Sequence, residues 1–176
     1  LKELRSLGFT TAHLAPDQGI FRGQTGLISL ADQLNSINSS VAQVIDFKYR
    51  AKKNREYPRS LLGVIAHIRQ TFYDSDWYLK AQEIVQEYPS ENEPISSNSS
   101  LESLGLSRAL NKPFVFISSN DNSSSRAINI VKEFKLSPWI LGSGYEYRVL
   151  DYFDEVKPFF IMPINFPAKP NVTKPC

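Results

Sequence analysis

The sequence holds one cysteine, Cys176 at its last position, and two histidines, His13 and His67. A single cysteine excludes an internal disulfide framework and any zinc site built on cysteine pairs. Two widely separated histidines leave little for an imidazole metal site. Charge of one sign is also lacking: 20 Lys and Arg against 18 Asp and Glu leave +2. That balance gives no general electrostatic reason for a nucleic acid or an anionic membrane as partner. No apolar run approaches the roughly 20 residues of a transmembrane helix. There is no Gly-Lys-Ser/Thr phosphate loop, no Gly-x-Ser-x-Gly elbow and no His-Glu-x-x-His helix. No positive-then-apolar signal segment follows Leu1, and the compartment stays open between cytoplasm and periplasm. What remains is ordinary globular composition, 41% hydrophobic over 176 residues. That suits one domain, or one large piece of a bigger one.

Local signals divide the chain. Lys2 to Leu7 reads as a helix end closed by Gly8. Residues 9–15 are β-rich, Asp17-Gln18-Gly19 is turn chemistry, and 26–30 suit a short strand. Residues 35–40 read as a polar break, and 40–47 alternate like a strand. Lys48 to Arg55 is a basic connector, better suited to solvent than to an acidic partner. A long helix follows Pro58 and runs to about Glu87, with Leu61, Ile65, Ile68 and Phe72 at helical spacing. Residues 87–100, rich in Ser, Asn, Glu and Pro, form a flexible loop, with Ser100 capping a helix over 101–110.

The C-terminal part reads β-α-β-α-β. Residues 114–117, 138–141 and 158–162 are fully apolar strands. Between them lie a helix capped by Ser123 or Ser124 and a second helix over 145–156. Short apolar strands separated by helices predict a parallel sheet.

Two segments carry a family likeness. One is Gly8-Phe9-Thr10-Thr11-Ala12-His13, followed by Gly19-Ile20-Phe21-Arg22-Gly23-Gln24-Thr25-Gly26-Leu27-Ile28. The other is Gly63-Val64-Ile65-Ala66-His67-Ile68-Arg69-Gln70-Thr71-Phe72-Tyr73-Asp74 with Trp77-Tyr78. Together they resemble the imidazolonepropionase-related group of the amidohydrolase superfamily, over most of the span from Leu4 to Pro167. The resemblance implies a TIM-type barrel, whose full form takes about 250 residues. The expected fold class is therefore α/β: parallel β-α units of an incomplete TIM-type (β/α) barrel over residues 1–167, with a tail at 168–176.

The superfamily uses zinc, held by a His-x-His pair on the first strand, by later histidines and by an Asp on the eighth strand. Aligned on the family, this chain lacks the first and eighth strands. The later histidine of the strand at 114–119 falls on Ile117, with Ser119 two residues on, and the next strand ends Gly142-Ser143-Gly144. Isoleucine has no lone pair, and serine is a poor substitute for imidazole on zinc. No metal ligand is assigned, and His13 is a weak candidate at most. Its alternative, favoured here, is a packed strand histidine in the barrel wall. His67, inside the long helix, is expected to be structural.

Four residues are candidates for ligand binding: Asp17, Arg22, Asn120 and Glu146. Asp17 and Arg22 flank two glycines in what would be a catalytic-face loop. Arg22 either takes a carboxylate or pairs with Asp17 to hold the loop. Asn120 lies in Asn120-Asp121-Asn122, which lacks calcium-loop spacing and suits a helix cap. Glu146 would sit at a helix N-terminus, stabilised by the macrodipole without a catalytic role.

The expected function is an amidohydrolase-like domain, a non-catalytic or incomplete segment of a larger metal-dependent hydrolase, with no cofactor of its own. One alternative is an active hydrolase of amide or cyclic amidine C–N bonds, completed by flanking sequence. The other is a small independent α/β binding domain. The expected partners are the remainder of the same protein or a second amidohydrolase-like domain, with homo-oligomerisation through open strand edges beside them. Nucleic acid and a membrane span are not expected.

Overall fold

The computed structural model describes residues 2–32, 35–48, 57–90 and 93–164. The tail at 168–176 and residues 49–55 of the basic connector lie outside them. Helix α1 (Lys2–Ser6) is short, and Gly8 at φ +90° turns the chain out of it, with its N–H donating to the Arg5 carbonyl.

Two sheets follow. The first is antiparallel, ordered β1 (Thr11–Leu14), β3 (Gly26–Ser29), β4 (Asn35–Asn38). The second has five strands, ordered β2 (Phe21–Gln24), β5 (Gln43–Asp46), β6 (Pro113–Ile117), β7 (Ser137–Leu141), β8 (Phe159–Ile161). In it β2 runs antiparallel to β5, while β5 to β8 are all parallel. The chain passes from one sheet to the other at Thr25. This residue is fully buried, donates its N–H to the Ala42 carbonyl and accepts from the Val41 N–H.

Helices α2 (Leu61–Glu87), α3 (Ser99–Ala109) and α4 (Asp121–Phe134) join the parallel strands. Each begins on a side-chain cap: Ser60 accepts from the Gly63 N–H, Asn98 from Leu101, and Asn120 from Ser123. Alternation along the strands separates the two faces. Ile45, Phe114, Phe116 and Ile140 pack with Val64, Ile68, Phe72, Leu104, Ile128 and Phe134 of the helices. The opposite face carries Val44, Val115, Ile117, Trp139 and Leu141, with no helix residue in that cluster. Helices on one face of a parallel sheet, and an apolar row on the other, is the layout of a barrel segment.

Several expectations need correction. Residues 35–38 are not a polar break but β4. All four are exposed, so no apolar alternation marked the strand, and its stability comes from the β3 ladder. The Arg22 segment is not a loop but β2, an edge strand bulged at Arg22. The early strand with His13 is not part of a barrel wall, because β1 belongs to the antiparallel sheet. Residues 145–156 form two 3₁₀ turns, Glu146–Arg148 and Leu150–Tyr152, instead of an α-helix. The spacing of Val149, Phe153 and Val156 turns one side to the core in either geometry, so periodicity could not separate the two. Helices α3 and α4 start at Ser99 and Asp121, under Asn98 and Asn120, slightly earlier than the serine caps suggested.

Candidate functional site

Two groups of polar side chains lie at the C-terminal ends of the parallel strands, where barrel proteins place their chemistry. The first surrounds the end of β5. Asp46 is its last residue, in register with Ile117 of β6. Arg22 of β2 reaches it through Nη2 on Oδ2, while Nη1 donates to the Pro16 carbonyl at 3.3 Å. The other carboxylate oxygen accepts the Lys48 N–H at 2.9 Å. Side-chain exposure is 14% for Arg22 and 9% for Asp46, so this pair is largely withdrawn from water. Arg22 Nε is buried and has no hydrogen-bond partner.

The pair forms one wall of a cleft of about 480 Å³, which Asp17, Lys48, Tyr57 and His67 also line. Asp17 is exposed, and Arg22 pairs with Asp46 rather than with Asp17. Sequence reasoning missed Asp46, which lies 24 residues from Arg22 and is brought beside it only by strand pairing. It also placed His67 among purely structural residues. Its ring meets Phe21 and Tyr57 edge-on, and it lines the cleft.

The second group sits between the ends of β6 and β7. Glu146 is 4% exposed, and its carboxylate is turned inward. Oε1 accepts from the Ser143 N–H at 2.7 Å, the Ser143 hydroxyl at 2.9 Å and the Ser124 hydroxyl at 3.2 Å. Oε2 accepts from the Gly144 N–H at 2.8 Å. Burial alone would raise the Glu146 pKa. Hydrogen bonds from Ser143, from Gly144 and from its own N–H outweigh that and hold it below the ordinary value. Ser118 Oγ stands 2.7 Å from both Ser124 Oγ and the Asn120 carbonyl. Asn120 itself is committed to capping α4 through Ser123.

The donor set does not fit zinc. At this face β6 and β7 offer Ile117, Ser118, Leu141 and Gly142, and Asp46 is held by a guanidinium. Among the described residues no group of three or more His, Cys, Asp or Glu could hold a metal ion. His13 stands apart, with Nε2 2.7 Å from Thr25 Oγ1 and its ring edge-on to Trp139. Among the described residues no helix is long and apolar enough to cross a membrane.

No family model matches the sequence, and no curated protein does. A solved structure matches the fold: an amidohydrolase from Thermotoga maritima MSB8, with a TM-score of 0.78 over 92% of this chain, at 18% identity. The chain has an amidohydrolase-like fold. It spans 44% of that solved chain, less than half its length. The two polar groups lie at the C-terminal ends of the parallel strands of that shared fold.

Proposed function

We propose that this chain is a segment of an amidohydrolase-like barrel, of the imidazolonepropionase-related group, that does not itself complete a metal-dependent active centre. The observation that carries this reading is the chemistry of the strand ends. Ile117, Ser118, Leu141 and Gly142 stand there in place of metal donors, and the one carboxylate on β5 is tied to Arg22.

The open side of the sheet supports a partner that continues the barrel. Strand β8 pairs only with β7 among the described residues, and it leaves Phe159 at 74% exposure and Met162 at 52%. An apolar strand edge of this kind calls for cover. The remainder of a longer protein or a second amidohydrolase-like domain supplies it, and a second copy of the chain would compete for the same edge. Ligand contact at the degenerate face falls to Asp17 and Arg22 in the cleft, while Asn120 and Glu146 at the β6–β7 end are held by contacts within the chain.

A second reading is an active hydrolase of amide or cyclic amidine C–N bonds, completed by sequence outside this chain. The 44% coverage of the solved amidohydrolase favours it. Metal content per chain, measured by plasma mass spectrometry after dialysis against metal-free buffer, tests the first reading. A ratio near zero is expected, and a ratio near one overturns it. The second reading requires that metal uptake and hydrolysis appear together once flanking sequence is restored.

A further inference from the structure

The surroundings of Glu146 are those of a bound anion. Successive backbone N–H groups, from Ser143 and Gly144, converge on one carboxylate, and two serine hydroxyls complete the set. Consecutive N–H groups turned to one point form an anion-binding concavity. The strand end is shaped for this guest. A Cβ on Gly142 would stand 3.1 Å from Glu146 Oε2 and 3.2 Å from Met162 Sδ. Any larger residue there would push the carboxylate out or displace Met162.

The donors come from two separate pieces of chain, the turn after β7 and the first turn of α4, and Ser118 at the end of β6 stands beside the Ser124 hydroxyl. Glu146 enters from the 3₁₀ turn and closes the concavity to water at 4% exposure. The hydrogen bonds to the carboxylate come from backbone N–H groups and serine hydroxyls of the same chain. The position is also telling, since the ends of adjacent parallel strands are where a barrel receives small ligands.

We propose that the end of β6 and β7 is a binding site for a small carboxylate, which this chain fills with its own Glu146. The intact chain is then closed to external carboxylates at this point. Removing the side chain beyond Cβ leaves a site that formate or acetate enters. This inference is independent of the reading above, and metal content does not bear on it.

The test is chemical rescue of Glu146→Ala. Thermal unfolding is followed in sodium formate and in sodium chloride at equal ionic strength, beside the unsubstituted chain. The variant is expected to melt lower in chloride. A site with a dissociation constant of about 10 mM would raise the folding equilibrium constant about tenfold at about 100 mM formate. That corresponds to a rise of roughly 3–5 °C in Tm. The unsubstituted chain should show no difference between the salts. Equal melting of the variant in both salts overturns the proposal, as does an equal formate gain in the unsubstituted chain. Should Glu146→Ala fold in neither salt, Glu146→Gln decides. The amide fills the space but turns an N–H₂ towards the donors, so it should melt lower at pH 7 and gain nothing from formate. A Glu146→Gln chain as stable as the parent overturns the proposal.

Discussion

Breaking the Arg22–Asp46 pair is the sharpest perturbation of the cleft. Asp46→Asn keeps an oxygen for the Lys48 N–H but sets an amide N–H₂ against the guanidinium. Arg22→Met removes the cation and its bond to the Pro16 carbonyl, and leaves the carboxylate with the Lys48 N–H as its one remaining partner of this group. Removing one partner of a buried pair costs about 3–5 kcal/mol, because the other charge stays buried without compensation. Both side chains keep a little exposure, 14% and 9%, which places the cost near the lower end, about 3 kcal/mol for each single substitution. In a domain of this size that is roughly 6–12 °C in Tm.

The double variant removes both charges and should lose far less than the sum. A coupling of about 1.5–3 kcal/mol is expected from the cycle. Urea unfolding of the four chains, followed by tryptophan fluorescence, measures it. Single losses under about 1 kcal/mol that add without coupling would match a solvated surface pair. That outcome would refute the claim that the pair is withdrawn from water.

Two further predictions follow from local geometry. Gly105 on α3 faces α2 so closely that an added Cβ would lie 2.6 Å from Leu79 Cδ1 and 2.9 Å from Leu79 Cγ. Gly105→Ala should therefore destabilise the chain by about 1 kcal/mol, overpacking of about 1–3 kcal/mol outweighing the gain in helix propensity of about 1 kcal/mol. Adding Leu79→Ala should relieve that cost, and a purely additive double variant would show that the helices do not meet as described. The ionised Glu146 carboxylate is stabilised in the folded chain, so its pKa lies below the ordinary value of 4.5. Its ionic contribution to stability is fully present above the unfolded value and is lost as pH falls through the lower, folded value. The stability gap between the parent and Glu146→Gln should narrow below about pH 4.5 in denaturant titrations; a gap independent of pH would contradict this.

Much of the fold was legible because local and tertiary demands agreed. The runs Phe114-Val115-Phe116-Ile117 and Pro138-Trp139-Ile140-Leu141 are apolar because each face of the parallel sheet carries its own apolar cluster, the helices packing on one of them. The long α2 showed itself through Leu61, Ile65, Ile68 and Phe72, whose spacing meets the sheet at each turn. Gly8 and the serine–asparagine clusters marked helix ends because orphan backbone groups need just those residues.

By itself, then, the sequence determined the alternation of parallel strands and helices, the likeness to an amidohydrolase fold, and the scarcity of histidine and cysteine. Those properties depend on residue identity and on neighbours a few positions apart. Only the tertiary structure decided that β4 exists, that Arg22 answers Asp46 rather than Asp17, that His67 lines the cleft, and that Glu146 turns inward. Each of these depends on which distant segment lies alongside. Strand pairing supplied β4 with partners its own side chains do not announce. The β2–β5 ladder set a guanidinium beside a carboxylate 24 residues away. Half of the hydrogen-bond donors set around Glu146 by Ser143, Gly144 and Ser124 are backbone N–H groups, which every sequence carries and only a folded turn can aim.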